Sequence, residues 1–159
     1  MRLFFALWPP AEAAAALHAW TKHLEGRPTR AENIHLTLAF LGESEPAKAL
    51  AAARRVRGRK HELPIERAEY WRHNKIVWAG PEETPPLLDE LVENLRSELT
   101  QEGFVLEARP FAAHVTLLRK APRPAAFPAL PKLSWPALQF VLVESVHGRY
   151  RTLEGFQLR

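Results

Sequence analysis

A phrase of four residues occurs twice in this 159-residue chain: His, apolar, Thr, apolar, beginning at His35 and again at His114. In an extended strand, alternate side chains point to the same face, so His35 and Thr37 share one face. His114 and Thr116 do the same in the second copy. A buried strand has no packing reason to carry an imidazole and a hydroxyl on one face, twice. We therefore expect the two strands to lie close together and to present two His and two Thr to a common cleft.

Two imidazoles across one cleft suit paired acid and base catalysis. An unperturbed histidine titrates at about pH 6.5, so one ring can be neutral while the other is protonated. Such a pair can deprotonate water and protonate a leaving oxygen in one turnover. The threonine hydroxyls can hydrogen-bond the negative charge that develops on phosphate oxygens. The arrangement therefore suits phosphodiester cleavage, above all the opening of a strained cyclic phosphate without a metal.

A metal site is the main alternative for the two phrases, because His is a common ligand. Each copy offers one good ligand, however, and no neighbouring Asp, Glu or Cys completes a ligand set, so no metal is expected. A single His-x-Thr would favour a structural role, whereas two copies in predicted strands favour a functional site. The remaining histidines are interpreted as solvated surface groups: His18, His23, His61, His73 and His147.

Composition is that of an ordinary globular domain, 47% hydrophobic and 25% charged. The absence of cysteine excludes disulfides, a thiol nucleophile and a Cys-based zinc site. A net charge of +4 fits a polyanionic partner, although the arginine-rich stretch 54–59 is interpreted first as a solvated helix end. The apolar start is too short for a signal peptide or a membrane span. A cytoplasmic protein without membrane contact is expected.

The elements that must position the two phrases alternate between strands and helices. The first elements are a strand at 2–7 and a helix. They are followed by the first phrase, in an apolar run at 34–41, and by a helix capped by Ser44. In that run, Phe40 should share the face opposite His35. Next come a hairpin from strands at 63–71 and 75–79, a helix after two prolines, and the second phrase in the run 111–118. A proline-rich loop at 121–136 follows, and after it a final hairpin.

This order predicts an α+β fold in which helices cover antiparallel sheet. The two phrases lie about half the chain apart, and each is preceded by a helix. A duplicated half is the economical interpretation. We therefore expect residues 1–159 to form one domain of two pseudo-symmetric lobes, with one phrase in each lobe and the active site in the central cleft.

With both phrases in place, the chain resembles the 2H phosphoesterases, which are named for two His-x-Thr/Ser-x motifs. Within them it is similar to the bacterial RNA 2′,3′-cyclic phosphodiesterase family, formerly called 2′-5′ RNA ligases. The likeness covers nearly the whole chain. It extends over residues 2–6, 33–42, 77–80, 109–111, 114–119, 144–145 and 148–150.

The resemblance implies hydrolysis of a 2′,3′-cyclic phosphate at an RNA end to a 2′-phosphomonoester, without a cofactor. His35 would donate a proton to the leaving 3′ oxygen, and His114 would activate water. Thr37 and Thr116 would hold phosphate oxygens, while Arg119 would contact the nucleotide or phosphate. The expected partners are RNA ends or oligonucleotides with a 2′,3′-cyclic phosphate, acted on by a monomer.

The sequence leaves open the roles of two aromatic residues and three further possibilities for the function. Phe5 and Phe40 are candidates for stacking on the substrate, with core packing as the alternative for each. The reverse reaction would join RNA ends through a 2′-5′ bond. A phosphodiesterase for small cyclic nucleotides or cyclic-phosphate metabolites would keep the same fold. A non-catalytic RNA-binding module would use the basic surface alone.

Overall fold

A computed structural model describes residues 1–159 and contains ten strands, three α-helices and two short 3₁₀ turns. The elements in chain order are β1 (Arg2–Leu7), α1 (Ala11–Trp20), β2 (Arg27–Pro28), β3 (Leu36–Glu43), α2 (Pro46–Arg55), β4 (His61–Ile65), β5 (Arg67–Trp71), β6 (Ile76–Gly80), α3 (Pro86–Gln101), β7 (Val115–Arg119), β8 (Leu133–Ala137), β9 (Gln139–Val146) and β10 (Arg149–Gln157). None of the helices is both long enough and apolar enough to span a bilayer.

The strands form one large antiparallel sheet in the order β10-β9-β1-β3-β7-β6-β5, with β2 paired to β7. The strands that carry the two phrases are neighbours at its centre, joined at the pair Leu36 and Val115. Strands β4 and β8 form a separate antiparallel pair. The α+β fold predicted from the element order is confirmed.

The same three-element unit occurs on both sides of the central pair. On one side β1 leads through α1 to β3, and on the other β6 leads through α3 to β7; in each unit the two strands pair antiparallel. Helix α3 begins with Pro86 in its first turn, where the missing N–H costs nothing, and buries five apolar residues at helical spacing. Each motif strand is therefore held against a strand of its own unit.

Strand β1 is buried on both faces, which decides the role of its two phenylalanines. Phe5 is 0% exposed and packs in the main core against the rings of Phe140 and Phe156. Phe4 points to the opposite face, where it belongs to a smaller apolar cluster beneath the cleft. The proposed stacking role of Phe5 is wrong, because this side chain faces away from the cleft.

Replacing Phe5 with alanine should destabilise the protein by about 3–5 kcal/mol, since it leaves a cavity in a packed core. Phe40→Ala is a matched control, because that side chain is 66% exposed and its removal should cost less than about 0.5 kcal/mol. Denaturant unfolding of both variants measures the difference. Equal losses of stability would contradict the placement of Phe5.

Phe40 lies on the cleft face, contrary to the alternation expected for its strand. The pairing of β1 with β3 shifts register twice, so that Ala6 faces Thr37 while Phe5 faces Ala39. Leu38 is the extra residue at the second shift, a β-bulge, and a bulge reverses the alternation that follows it. Phe40 therefore points the same way as Thr37 and lines the cleft.

Other differences from the sequence-based elements are local. The expected strand at 63–71 is two strands in different sheets, and the proline-rich segment 121–136 contains the first part of β8. Ser44 does not cap α2; its hydroxyl donates to the carbonyl of Leu41, and the helix starts at Pro46. Proline is compatible with β8 because that strand pairs on one side only.

The arginine-rich stretch around the end of α2 is largely occupied by ion pairs. Its partners are carboxylates from neighbouring elements: Arg54 pairs with Glu154, Arg55 with Glu98 and Glu102, and Arg59 with Glu90. These contacts support its interpretation as a solvated helix end.

Candidate active site

The two phrases meet in one cleft of about 450 Å³ above the central pair of strands. Five of the six residues predicted for the site line it, and they are His35, Thr37, His114, Thr116 and Arg119. The sixth, Phe5, does not. The antiparallel pairing of Leu36 with Val115 brings the polar faces of the two strands side by side. The cleft therefore holds the imidazoles and hydroxyls of both phrases together with the guanidinium of Arg119.

A backbone carbonyl two residues earlier orients each imidazole. Nδ1 of His35 donates to the carbonyl of Asn33 at 2.7 Å, and Nδ1 of His114 donates to that of Ala112 at 2.8 Å. Because a carbonyl only accepts, Nδ1 carries the hydrogen in both neutral rings, and Nε2 is the nitrogen free to accept a proton. Both rings are thus held as potential bases. Nε2 of His35 also lies 3.0 Å from the hydroxyl of Thr37.

Three aromatic rings enclose His35. It stacks on Trp8 and Phe4, with ring centroids 4.7 and 5.0 Å away, and Tyr150 meets it edge-on at 5.4 Å. Trp8 is itself fixed by a hydrogen bond from its indole to the carbonyl of Glu32. This packing restricts the ring and removes water from its faces.

His114 has an aromatic wall of its own. Trp71 lies edge-on with its centroid 4.5 Å away, and Trp78 lies 6.1 Å away. Both tryptophans come from the β5–β6 hairpin, which pairs with β7. The two imidazoles therefore sit in different surroundings although their motifs are nearly identical.

Burial lowers the pKa of both histidines, because a charged ring loses hydration. For His35 desolvation is the largest cause, followed by the opposing hydrogen bond to Asn33 and then by the positive charge of Arg119; its pKa falls to about 4. For His114 desolvation is again the largest cause, and the charge of Arg119 adds to it. Both rings are therefore neutral at pH 7 before an anion binds.

Arg119→Gln should raise the pKa of both His35 and His114, since it removes the nearby positive charge that opposes protonation of either ring. The imidazole resonances in an NMR pH titration measure it. Arg123→Gln is the matched control, an exposed arginine on the loop that follows β7. A pKa change in the control alone would contradict the electrostatic role of Arg119.

Arginines surround the mouth of the cleft and have no ion-pair partner among the protein's carboxylates: Arg27, Arg30, Arg119 and Arg149. Arg27 pairs across the β2–β7 ladder with Arg119, which sets two guanidinium groups on adjacent strands. No Asp or Glu lines the cleft. A cleft with positive charge and no carboxylate concentrates phosphate-bearing ligands.

Several cleft residues were not predicted as site residues. Arg149 and Tyr150 follow a two-residue hairpin turn in which His147 and Gly148 both have positive φ, at 51° and 75°. The signal in the sequence was His-Gly between two apolar runs, which predicts the turn but not its position beside Phe4. His147 is exposed at the rim of the cleft. Two histidines differ from their interpretation as solvated surface groups. Nδ1 of His18 donates to the carbonyl of Thr29 at 2.9 Å, and the Nε2 atom of His61 is buried.

No group of three or more His, Asp or Glu side chains is placed to hold a metal ion.

The carbonyl contact that orients the two catalytic candidates also occurs outside the cleft, from Nδ1 of His61 to the carbonyl of Arg59. It is a local feature of extended backbone. What distinguishes His35 and His114 is the shared cleft with its hydroxyls and its unpaired arginines.

A fold and a cleft of this kind define a phosphoesterase, and the comparisons with known proteins agree. Residues 7–78 match the family model of the LigT-like phosphoesterases. An RNA 2′,3′-cyclic phosphodiesterase of Escherichia coli is 39% identical over 160 residues, covering 95% of this chain and 90% of that protein. One from Thermus thermophilus is 37% identical, covering 100% of this chain and 91% of that protein.

The solved structures show the same likeness in three dimensions. The crystal structure of Escherichia coli LigT complexed with 3′-AMP has a TM-score of 0.90 and 34% sequence identity, covering 99% of this chain and 97% of that one. The chain therefore belongs to the LigT-like phosphoesterases of the 2H superfamily. The resemblance inferred from the twin motifs is confirmed.

Proposed function

We propose that this enzyme hydrolyses the 2′,3′-cyclic phosphate at an RNA end to a 2′-phosphomonoester. The relatives that carry the name RNA 2′,3′-cyclic phosphodiesterase support cyclic phosphate hydrolysis. The observation that carries the proposal is the cleft itself, in which the histidines and threonines of both motifs and four unpaired arginines converge without a carboxylate. We also propose that residues 1–159 form one domain of two lobes with one motif in each. The single large core cluster supports one domain, and the repeated strand–helix–strand unit supports two lobes.

The reaction we propose uses the two Nε2 atoms as acid and base. Nε2 of His114 takes a proton from water as the water oxygen bonds to phosphorus. The bond from phosphorus to O3′ breaks, and the proton on Nε2 of His35 passes to that oxygen. The hydroxyls of Thr37 and Thr116 donate to the non-bridging oxygens, and Arg119 balances their charge.

Protonation of His35 must come with the substrate, because its pKa of about 4 leaves it neutral in the free protein at pH 7. A cyclic phosphodiester is an anion. Bound in the cleft, it offsets the positive charge of Arg119 and favours a charged imidazole beside it. The free-protein pKa values and the acid role of His35 are compatible for this reason.

The pH dependence of kcat/KM reports the free protein, so its bell should be centred below pH 6.5, because the pKa values of both His35 and His114 are lowered. The profile of kcat should lie at higher pH, since the bound anion raises both pKa values. Initial rates from pH 4 to 9 on one RNA substrate provide both profiles. A kcat/KM maximum above pH 7 would contradict the effect of burial.

The proposed activity is tested with an oligonucleotide that ends in a 2′,3′-cyclic phosphate, in ¹⁸O-labelled water with EDTA present. The expected product is a 2′-phosphomonoester that carries one labelled oxygen. A 3′-phosphomonoester, or no product, would overturn the proposal. RNA binding without opening of the ring would support a binding module instead. Higher kcat/KM on cyclic mononucleotides than on oligonucleotides would support a small-molecule substrate.

A second proposed activity is the same ring opening with another nucleophile. Attack by a ribose 5′-hydroxyl instead of water would join two RNA ends through a 2′-5′ bond. The same two histidines would serve, because the hydroxyl replaces water as the group that loses its proton to His114. We propose it as a minor activity, favoured where water is limited and both ends are held.

A further inference from the structure

A second cavity, of about 410 Å³, opens beside the cleft. The two cavities share Thr37, Phe40 and His114, so the second continues the first past one of the two histidines. His35 lines the first cavity but not the second. His114 is therefore the catalytic candidate at the boundary between the two spaces.

The walls of the second cavity combine aromatic surface with two arginines and one glutamate. Phe40 is 66% exposed, and Trp71 lines the cavity next to His114. Arg96 projects from α3 and donates to the carbonyl of Glu107, and the side chain of Arg109 is 74% exposed and pairs with the Glu107 carboxylate at 3.3 Å. Exposed aromatic rings stack on bases and arginines bind phosphates, and the volume is that of a small-ligand site.

The position of His114 says which part of the reaction this cavity serves. In the proposed reaction the attacking oxygen approaches phosphorus opposite the leaving O3′. Its proton goes to His114, so the attacking group enters on the His114 side. His35 lies on the side of the leaving oxygen in the first cavity, which Phe4 and Tyr150 of its aromatic enclosure also line. A group held in the second cavity is thus on the side of the nucleophile.

We propose that the second cavity binds a nucleoside with a free 5′-hydroxyl, the acceptor in 2′-5′ joining. The inference rests on the function proposed above. The acceptor's O5′ forms a bond to phosphorus as the bond from phosphorus to O3′ breaks. The 5′-hydroxyl proton passes to Nε2 of His114, and the proton on Nε2 of His35 passes to O3′. The strained ring supplies the driving force, so no further reactant is consumed.

The test uses a donor oligonucleotide with a 2′,3′-cyclic phosphate and increasing amounts of a 5′-hydroxyl oligonucleotide. The ratio of joined to hydrolysed donor should rise and then saturate for the wild-type protein, because a bound acceptor competes with water. In the variant Arg96→Ala with Arg109→Ala, the half-saturating acceptor concentration should increase about tenfold. Arg109→Ala alone should show a smaller increase in the half-saturating concentration. Because this variant keeps the hydrogen bond from Arg96 to the carbonyl of Glu107, it separates the loss of charge from a disturbance of the loop.

The matched control is Arg54→Ala with Arg59→Ala, which removes the same charge from ion pairs near α2. It should leave the half-saturating concentration within twofold of wild type. A ratio that rises linearly without saturation, no joined product, or equal effects of both double variants would overturn the acceptor site. The acceptor site would also be overturned if the variant Arg96→Ala with Arg109→Ala lost hydrolysis of oligonucleotides but kept hydrolysis of cyclic mononucleotides. The second cavity would then bind the donor's own chain. Absence of hydrolysis itself would instead refute the proposed function.

Discussion

His114→Ala should lower kcat/KM for opening of an RNA 2′,3′-cyclic phosphate by about 10²–10⁴-fold, the usual contribution of a general base. The substitution removes the only imidazole at the boundary of the two cavities. His35→Ala should have an effect in the same range, because the leaving oxygen then departs without a proton. Steady-state kinetics on an oligonucleotide substrate measures both, with thermal unfolding as a check that each variant is folded.

His61→Ala is the matched control for the histidine variants. Its ring makes the same contact to a carbonyl two residues earlier, but it lies outside the cleft. We expect its kcat/KM to stay within twofold of wild type. Near wild-type turnover by either folded cleft variant would refute two-histidine catalysis.

Replacing the hydroxyl of Thr37 or Thr116 by a methyl group should lower kcat by about 10²-fold, the scale of losing one donor to a developing oxyanion. Valine has nearly the same shape as threonine, so packing is kept and only the hydrogen bond is lost. Thr37→Val should also alter the pH profile, because its hydroxyl lies 3.0 Å from Nε2 of His35. Rapid-quench kinetics measures the rate constant of the chemical step directly, so that product release does not mask the loss.

Rescue by serine separates the hydroxyl from the shape of the side chain. Thr116→Ser should recover most of the rate, whereas Thr116→Val should not. Thr100→Val on the exposed face of α3 controls for the general effect of the substitution. Full activity in both valine variants of the cleft would show that the hydroxyls do not act on the phosphate.

The two-residue alternation of a strand was enough to predict that His35 and Thr37 share a face. His35 and Thr37 face the cleft because they precede the β-bulge at Leu38, and the rule fails for Phe40 because it follows the bulge. A bulge depends on how two strands pair, so one strand's sequence does not display it. The stacking role predicted for Phe5 failed for a related reason, since a strand apolar throughout has no polar face to mark its orientation.

The electrostatics of the site were the least predictable part. A run of arginines at 54–59 is conspicuous in the sequence but is largely paired with carboxylates from α3 and β10. The arginines that line the cleft are scattered, from Arg27 to Arg149, and only the fold brings them together. The aromatic enclosure of His35 likewise joins residues from opposite ends of the chain. Burial and charge come from tertiary neighbours, which local patterns do not specify.

The claim that both histidines face a common phosphate is tested most directly by an NMR titration of the two imidazoles with a bound 2′-nucleotide. The pKa of His35, about 4 in the free protein, and that of His114 should both rise, because one anion lies beside both rings. A rise at one cleft histidine alone, or at neither, would contradict a shared phosphate site.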